Sequence, residues 1–142
     1  MNELQRARAC AEHMYANDKA SQALGIEIEI PEPGSAIATM RVHEDMVNGF
    51  DIAHGGLVFT LADTAFAFAC NAYDDVTVAG SGTIEFLRPV FEGDDIRAVA
   101  REEHRGQRAG LYAVEVLNQN DECVALFRGR SVSRGQALLD DE

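Results

Sequence analysis

Residues 55–70 read GGLVFTLADTAFAFAC, and this stretch decides the fold. It is rich in alanine and leucine, contains no proline and is apolar on every side, so it predicts a helix that is buried almost all round. At about 1.5 Å per residue, such a helix is roughly 24 Å long. Asp63 is the only charged residue within it, so its carboxylate is the first side chain that needs an explanation.

Segments with the pattern of β-strands flank this helix on both sides. Isoleucine and glutamate alternate strictly over residues 26–30, which is typical of a strand with one solvent-exposed face. A second strand is predicted at 35–42. After the helix, further strands are predicted at 76–88, 95–105, 109–118 and 122–133. Because the links between them are short, these last four strands are expected to form an antiparallel meander. A sheet of about six strands that must cover an apolar helix is expected to curl around it, which predicts an α+β fold.

The chain is expected to form one domain over residues 1–142, because this length suits one core of ordinary size. Apolar residues recur every three or four positions near its start, which predicts a surface helix over residues 1–24 that stops at Gly25. Residues 135–142 are predicted to be a flexible tail.

Acidic residues outnumber basic residues by 24 to 12, which gives the chain a net charge of −12. A basic face that neutralises phosphates is therefore not expected, and neither nucleic acid nor an anionic membrane surface is a predicted partner. No apolar stretch is long enough to span a bilayer, and the polar start lacks the pattern of a signal peptide. The three cysteines form no disulfide framework, so we expect reduced thiols in the cytoplasm.

All eight basic residues between positions 88 and 134 are arginines. Guanidinium groups match phosphate geometry, so one interpretation is that a few of them hold the phosphates of a small anionic ligand. The alternative is that they lie on the solvent-exposed faces of strands and pair with neighbouring carboxylates.

Asp63 is unusual because aspartate is disfavoured inside helices and is rarely buried without a partner. Its nearest helical neighbours include no cation. One interpretation is structural: the hydroxyl of Thr60 or Thr64, or a cation from elsewhere in the fold, holds the carboxylate. The other is functional: the carboxylate lies in a partly apolar cleft, where burial raises its pKa and its basicity.

His54, Gly55 and Gly56 stand at the predicted start of the helix. Paired glycines leave the first N–H groups unobstructed, and these groups, with the helix dipole, favour a developing negative oxygen. The alternative is ordinary turn chemistry with close packing, and a lone histidine is more often a hydrogen-bonding scaffold. Asn48, in the preceding loop, is either a turn residue or a side chain that orients water or a carbonyl.

The spacing of these groups predicts a second subunit. Gly55 and Asp63 are eight residues apart, or roughly 12 Å along one helix. A reacting carbonyl needs its oxyanion donor and its base each about 3 Å away, so one helix cannot supply both groups to one substrate. Two antiparallel helices in a two-fold dimer can, with Gly55 from one subunit and Asp63 from the other, and an obligate homodimer with two equivalent sites is therefore expected.

The helix motif resembles that of the hotdog-fold acyl-CoA thioesterases, and most closely the branch that acts in phenylacetate degradation. The motif comprises residues 54–56 and 60–67, with supporting similarity at 48–49, 83–89, 93–94 and 124–129. The resemblance implies a hotdog fold and a homodimer that pairs again into a homotetramer. It also implies hydrolysis of a thioester between an acyl group and coenzyme A (CoA). No metal-binding cluster is visible, and this hydrolysis requires neither a metal nor a cofactor.

The resemblance further implies roles for individual residues. Asp63 would be the nucleophile or the general base that activates water. The N–H of Gly55 would polarise the thioester carbonyl with help from His54, and Asn48 would position the substrate or the water. The remaining candidates for substrate binding, in which the two arginines would meet the CoA phosphates, are Phe59, Thr64, Phe66, Arg88 and Arg128.

Two other functions stay open at this point. A hotdog dehydratase or hydratase would use His54 as its base, but the Pro-rich segment expected between that histidine and the helix acid is missing. A non-catalytic acyl-CoA-binding protein would gain nothing from an unpaired Asp63. Thioester hydrolysis is therefore the favoured interpretation, and the resemblance alone implies an arylacyl group such as phenylacetyl or hydroxyphenylacetyl.

Overall fold

The computed structural model describes residues 1–139, which form three α-helices, a short 3-10 helix and six strands. The helices are α1 (Glu3–Asn17), α2 (Lys19–Ala23) and α3 (Gly55–Cys70), and the 3-10 helix spans Glu44–Met46. The strands are β1 (Glu27–Glu29), β2 (Ser35–Arg41), β3 (Thr77–Phe86), β4 (Asp95–Arg105), β5 (Ala109–Leu117) and β6 (Cys123–Ser133).

The six strands form one antiparallel sheet that wraps α3. Their order is β1-β2-β4-β5-β6-β3, and α3 packs against β2, β3, β4, β5 and β6. Along β2, β4, β5 and β6, buried and exposed side chains alternate, so one face of the sheet lies on the helix and the other faces solvent. The predicted α+β hotdog architecture is confirmed.

The predicted four-strand meander is wrong in one respect. Strand β3 does not pair with β4 but with β6, so that Thr83 lies opposite Arg128 and Phe86 opposite Ala125. Of the four strands predicted to form the meander, only β4, β5 and β6 lie side by side in chain order. The link over residues 87–94 instead carries the chain across the sheet, and β3 becomes an edge strand whose residues 78–83 are exposed.

The N-terminal segment is two helices rather than the single predicted helix over residues 1–24. Asp18 ends α1, and its carboxylate accepts hydrogen bonds from the backbone N–H (3.0 Å) and the hydroxyl (2.6 Å) of Ser21. A side chain that caps a new helix start is the reason for the break. Gly25 stops α2 with a φ of 72°, in the left-handed region that glycine adopts without a steric penalty.

The end of the described chain is attached to the loop after α3. Asp74 accepts hydrogen bonds from the backbone N–H groups of Leu138 (3.0 Å) and Leu139 (2.7 Å), and Asp75 accepts one from Gln136 (3.2 Å). The flexible tail predicted over residues 135–142 therefore does not begin at residue 135. The rest of that prediction concerns residues 140–142, which lie outside the described part.

A polar cluster holds the chain just beyond α3 to the sheet. The hydroxyls of Tyr73 (2.7 Å) and Tyr112 (2.9 Å) both donate to the same carboxylate oxygen of Glu102. Burial, reinforced by this carboxylate, raises the pKa of both tyrosines, so both remain protonated donors at neutral pH. This end of α3 is thereby fixed, whereas Gly55 lies at its other end and Asp63 near its middle.

The centre of the core is an aromatic cluster between α3 and the sheet. Phe66 is 1% exposed, and its ring centroid lies 5.6 Å from that of Tyr112 and 5.7 Å from that of Phe127. A Cβ atom at Gly129 would approach the Phe66 ring to 2.8 Å, closer than packed carbon atoms allow. Glycine at position 129 is therefore what lets the ring lie flat against β6.

We expect Gly129→Ala to destabilise the protein by about 1–3 kcal/mol, because the added methyl overpacks a rigid, buried ring. Urea denaturation measures the free energy of unfolding. Gly49→Ala is the control, since a Cβ atom there meets nothing within 4 Å, and its effect should stay within about 0.5 kcal/mol. Equal stability of the two variants would contradict this account of the core.

Candidate active site

Asp63 lies at the middle of α3 and is half-buried. Among residues 1–139, no hydrogen-bond donor and no cation contacts its carboxylate. Burial raises the pKa of this carboxyl group above its ordinary value of 3.8, because a carboxylate in a poorly solvated place prefers to be protonated. The carboxylate is thus uncompensated within one subunit and more basic than an exposed aspartate.

The two threonines that the structural interpretation assigned to Asp63 bond elsewhere. The hydroxyl of Thr60 donates to the backbone carbonyl of Gly56 (2.8 Å), and that of Thr64 donates to the carbonyl of Thr60 (2.6 Å). Threonine hydroxyls inside helices often return to the preceding turn in this way. Thr64 is also buried, so the structure places it inside the helix packing and not on an open substrate surface.

His54 caps α3 and organises its first turn. The ring Nδ1 of His54 accepts a hydrogen bond from the N–H of Gly56 (3.0 Å), so in the neutral ring the proton lies on Nε2. The Gly56 N–H is therefore occupied, contrary to the expectation that both glycine N–H groups are open. Among the described residues the N–H of Gly55 meets no acceptor, and it remains the free donor at the helix start.

Asn48 shapes the loop that leads to this turn. Its Oδ1 accepts from the N–H groups of Phe50 (2.9 Å) and Ile52 (3.4 Å), and its own N–H donates to the carbonyl of Ile52 (2.8 Å). The oxygen of the side chain is thus used by the loop itself. The side-chain NH₂ has no acceptor within residues 1–139, so it is the part of Asn48 that can meet a ligand.

A cleft of about 410 Å³ opens beside the start of α3. Its polar lining comes from Asn48, Gly55 and Arg88, three residues that the sequence pointed to. The rest of the lining is apolar: Ile52, Ala53, Val58, Phe86, Leu87, Pro89, Val90 and Val124. A small apolar cleft with a few convergent polar groups is the usual form of a ligand site.

Phe86 is the large aromatic residue of this cleft that the sequence did not single out. It ends β3, it is 56% exposed, and its ring lies 3.1 Å from the position that a Cβ atom of Gly55 would take. The available signal was a large aromatic residue near the end of the strand predicted over residues 76–88, three residues before Pro89.

The two phenylalanines predicted to bind substrate lie elsewhere. Phe66 belongs to the core described above, because its ring is enclosed by Tyr112 and Phe127. Phe59 is half-buried and packs edge-on against Phe127, with ring centroids 5.4 Å apart. Neither ring lines the cleft beside Gly55.

The two arginines proposed for phosphate binding separate in the structure. Arg88 lines the cleft and pairs with Glu122 at 3.3 Å, where both side chains are largely exposed. Arg128 lies on the outer face of β6 and bonds to Glu103 at 2.6 Å. Of these two arginines, only Arg88 is therefore near the candidate site. Arg128 pairs with a neighbouring carboxylate, as the alternative interpretation of the strand arginines predicts.

The cysteines provide no competing nucleophile next to Asp63. All three are free, and Cys10 and Cys70 are buried. Burial raises the pKa of the Cys70 thiol to about 12, so this group is protonated at neutral pH. Since the thiolate is the reactive form, Asp63 remains the candidate reactive group of this helix.

The described part of the chain contains no cluster of three or more His, Cys, Asp or Glu side chains arranged to hold a metal ion. Within the same residues, no helix has the length and apolar character that crossing a bilayer requires.

Comparisons with known proteins agree with this geometry. The sequence profile of the thioesterase superfamily matches residues 50–125, which include α3 and every lining residue of the cleft except Asn48. The chain is 49% identical over 131 residues to the acyl-coenzyme A thioesterase PaaI of Escherichia coli (strain K12), a match that covers 92% of this chain and 94% of that protein.

Solved structures show the same fold. The E. coli PaaI protein from the phenylacetic acid degradation operon superimposes with a TM-score of 0.94 at 45% identity, covering 96% of this chain and 99% of that one. A Streptococcus mutans UA159 protein bound to acetyl-CoA superimposes with a TM-score of 0.75 at 26% identity, covering 79% and 90% of the two chains.

We expect Asp63→Asn to raise the free energy of unfolding at pH 7. Burial raises the folded-state pKa of Asp63, so above that pKa the ionised carboxylate costs stability, and the amide removes the cost. The gain should shrink as the pH falls and vanish below about 3.8, where wild-type Asp63 is protonated in both states. Urea denaturation at several pH values and one protein concentration measures the gain.

The exposed Glu92 provides the control for this measurement, since Glu92→Gln should leave stability unchanged. A less stable Asp63→Asn protein at pH 7 would mean that a partner stabilises the carboxylate, and it would return Asp63 to a structural role.

Proposed function

This chain belongs to the thioesterase superfamily, and we propose that it hydrolyses acyl-CoA thioesters whose acyl group is arylacetyl, such as phenylacetyl or hydroxyphenylacetyl. The observation that carries the proposal is Asp63, a half-buried carboxylate without a partner on the helix whose first N–H is free. The likeness to a PaaI protein of phenylacetic acid degradation supports the choice of acyl group.

The groups at the site suit hydrolysis of a thioester. The carbonyl oxygen accepts a hydrogen bond from the N–H of Gly55, with Nε2–H of His54 beside it, and negative charge develops there as the carbonyl carbon is attacked. Asp63 either takes a proton from the attacking water or attacks the carbon itself. The C–S bond then breaks, CoA leaves as the thiolate and takes up the proton, and the acid is released after the net addition of one water.

The site is completed by a second copy of the chain. In one subunit the sheet covers most of α3 but leaves a stripe formed by Gly56, Thr60, Asp63 and Ala67 partly exposed. Strand β3 beside it has a free edge, since β6 is its only partner among residues 1–139. An unpaired edge strand invites pairing with another chain, and a two-fold axis there would set two α3 helices side by side, with Asp63 of one near Gly55 of the other.

Two further proposals concern the assembly and its location. Two such dimers pair into a homotetramer, which would bury more of the exposed apolar side chains, among them Phe50 and Leu111. The enzyme acts in the cytoplasm, a location that the three free cysteines support.

A binding protein without catalysis is the second candidate, and the cleft would serve it equally well. The raised pKa of Asp63 argues for catalysis, because a protein that only binds CoA has no use for a carboxylate held in an unfavourable place. Continuous release of free CoA, detected with a thiol reagent, identifies a thioesterase, whereas a binding protein releases none.

Asp63→Asn should lower kcat on phenylacetyl-CoA by about 10²–10⁴-fold, the usual effect of removing a general base. In the wild type, kcat/KM should fall as the pH drops through the pKa of Asp63, because the carboxylate is the active form. The midpoint should lie above 3.8, the direction in which burial moves it.

Asp63→Glu is the matched variant for this prediction, because it keeps a carboxylate and should retain more activity than Asp63→Asn. Full activity of Asp63→Asn would remove this residue from the chemistry.

A mixture of two inactive variants tests whether the site is shared between subunits. Gly55→Pro lacks the N–H, and proline suits the first position of a helix. His54 already has the extended ψ of 128° that a residue before proline requires. Co-refolding Gly55→Pro with Asp63→Asn in equal amounts should restore about one quarter of wild-type activity, because half of the dimers are mixed and each holds one intact site.

The Gly55→Ala variant, which keeps the N–H, separates loss of the donor from the effect of added bulk. Dimer content is checked by light scattering. Absence of recovery in a mixture that does form dimers would place Gly55 and Asp63 of each site in the same subunit.

A further inference from the structure

We propose that Phe86 selects acyl groups that are unbranched at the carbon next to the thioester carbonyl. This inference rests on the proposed function, since it assigns the space beside the N–H of Gly55 to the acyl group of a bound thioester. It adds a specificity-determining residue to the site.

The position of the Phe86 ring is set by the end of β3. Ile84 and Phe86 pair with Phe127 and Ala125 of β6, so the strand is held in register up to its last residue. The backbone N–H of Leu87 then donates to the carbonyl of Val124 (2.8 Å). The ring is thus placed over the start of α3 by the backbone on both sides of it, although the side chain itself is 56% exposed.

The space between this ring and Gly55 is narrow. A Cβ atom at Gly55 would lie 3.1 Å from Cζ and 3.6 Å from Cε1 and Cε2 of Phe86, whereas ordinary carbon contacts lie at about 3.5–4.0 Å. Residue 55 is therefore a glycine in part because the ring occupies the place of a side chain. Gly55, with its free N–H, and Phe86 line the same cleft.

A bound thioester must fit into this space. A carbonyl oxygen that accepts from the Gly55 N–H lies about 2.9 Å from that nitrogen, so the atoms attached to its carbonyl carbon come within van der Waals range of the ring. An acyl group with CH₂ at this point presents only hydrogen atoms to Phe86. A methyl branch adds a heavy atom beside a ring that already crowds a single Cβ atom, so branched acyl groups are rejected.

The test compares phenylacetyl-CoA with 2-phenylpropanoyl-CoA, which differs by one methyl at the carbon next to the carbonyl. Wild type should favour phenylacetyl-CoA in kcat/KM by about 10–200-fold, the range expected for one such group in a shaped pocket. Phe86→Ala should reduce this ratio at least tenfold, and Phe86→Leu should reduce it less. Phe91→Ala is the matched control, because Phe91 is similarly exposed (51%) but does not line the cleft.

The outcomes separate this inference from the function on which it rests. If wild type releases CoA from neither substrate, the proposed function fails. If wild type hydrolyses phenylacetyl-CoA but does not discriminate, or if Phe86→Ala and Phe86→Leu keep the wild-type ratio, only the role of Phe86 is overturned. Circular dichroism verifies folding, and Phe86→Leu, which preserves an apolar side chain, carries the test if the alanine variant unfolds.

Discussion

Coverage of α3 is the constraint on which the rest of the structure depends. A helix that is apolar on every side must be enclosed, and five strands of a single curved sheet do most of this. They leave the stripe at Gly56, Thr60, Asp63 and Ala67 partly exposed, next to the free edge of β3. In the proposed homodimer, a second copy of the chain supplies the remaining coverage, so that burial of α3 and completion of the proposed site depend on the same contact.

The cost of holding Asp63 in this helix suits the proposed chemistry. Within residues 1–139 of one subunit, no cation or hydrogen-bond donor neutralises the carboxylate, and burial raises its pKa. A stabilising cation or a pair of donors would lower the pKa again and make the group a weaker base. The helix therefore holds this acid in surroundings that disfavour its charged form, an arrangement that is common at sites of proton transfer.

The start of α3 shows how several small features combine into one site. His54 uses the N–H of Gly56 for its own cap, which leaves the N–H of Gly55 as the free donor. The lack of a side chain at Gly55 admits the ring of Phe86. The Asn48 loop and the turn at Pro89 close the cleft around this donor. The proposed oxyanion donor and an apolar wall beside it thus arise from one helix end, the end of β3 and two adjoining loops.

The sequence by itself determined the elements that depend on local pattern. It located α3 over residues 55–70, most strand positions, and Asp63 and Gly55 as candidate site residues, because periodicity, propensity and spacing are properties of short segments. Whether the threonines hold the Asp63 carboxylate, and which glycine N–H is free, was decided by the tertiary structure. Only the tertiary structure decided that β3 pairs with β6, that Phe66 is enclosed by Tyr112 and Phe127, and that Phe86 lies over Gly55. These contacts join segments that are far apart in the chain. Strand order and ring packing depend on how all of these segments pack together in one core, and no short segment contains that information.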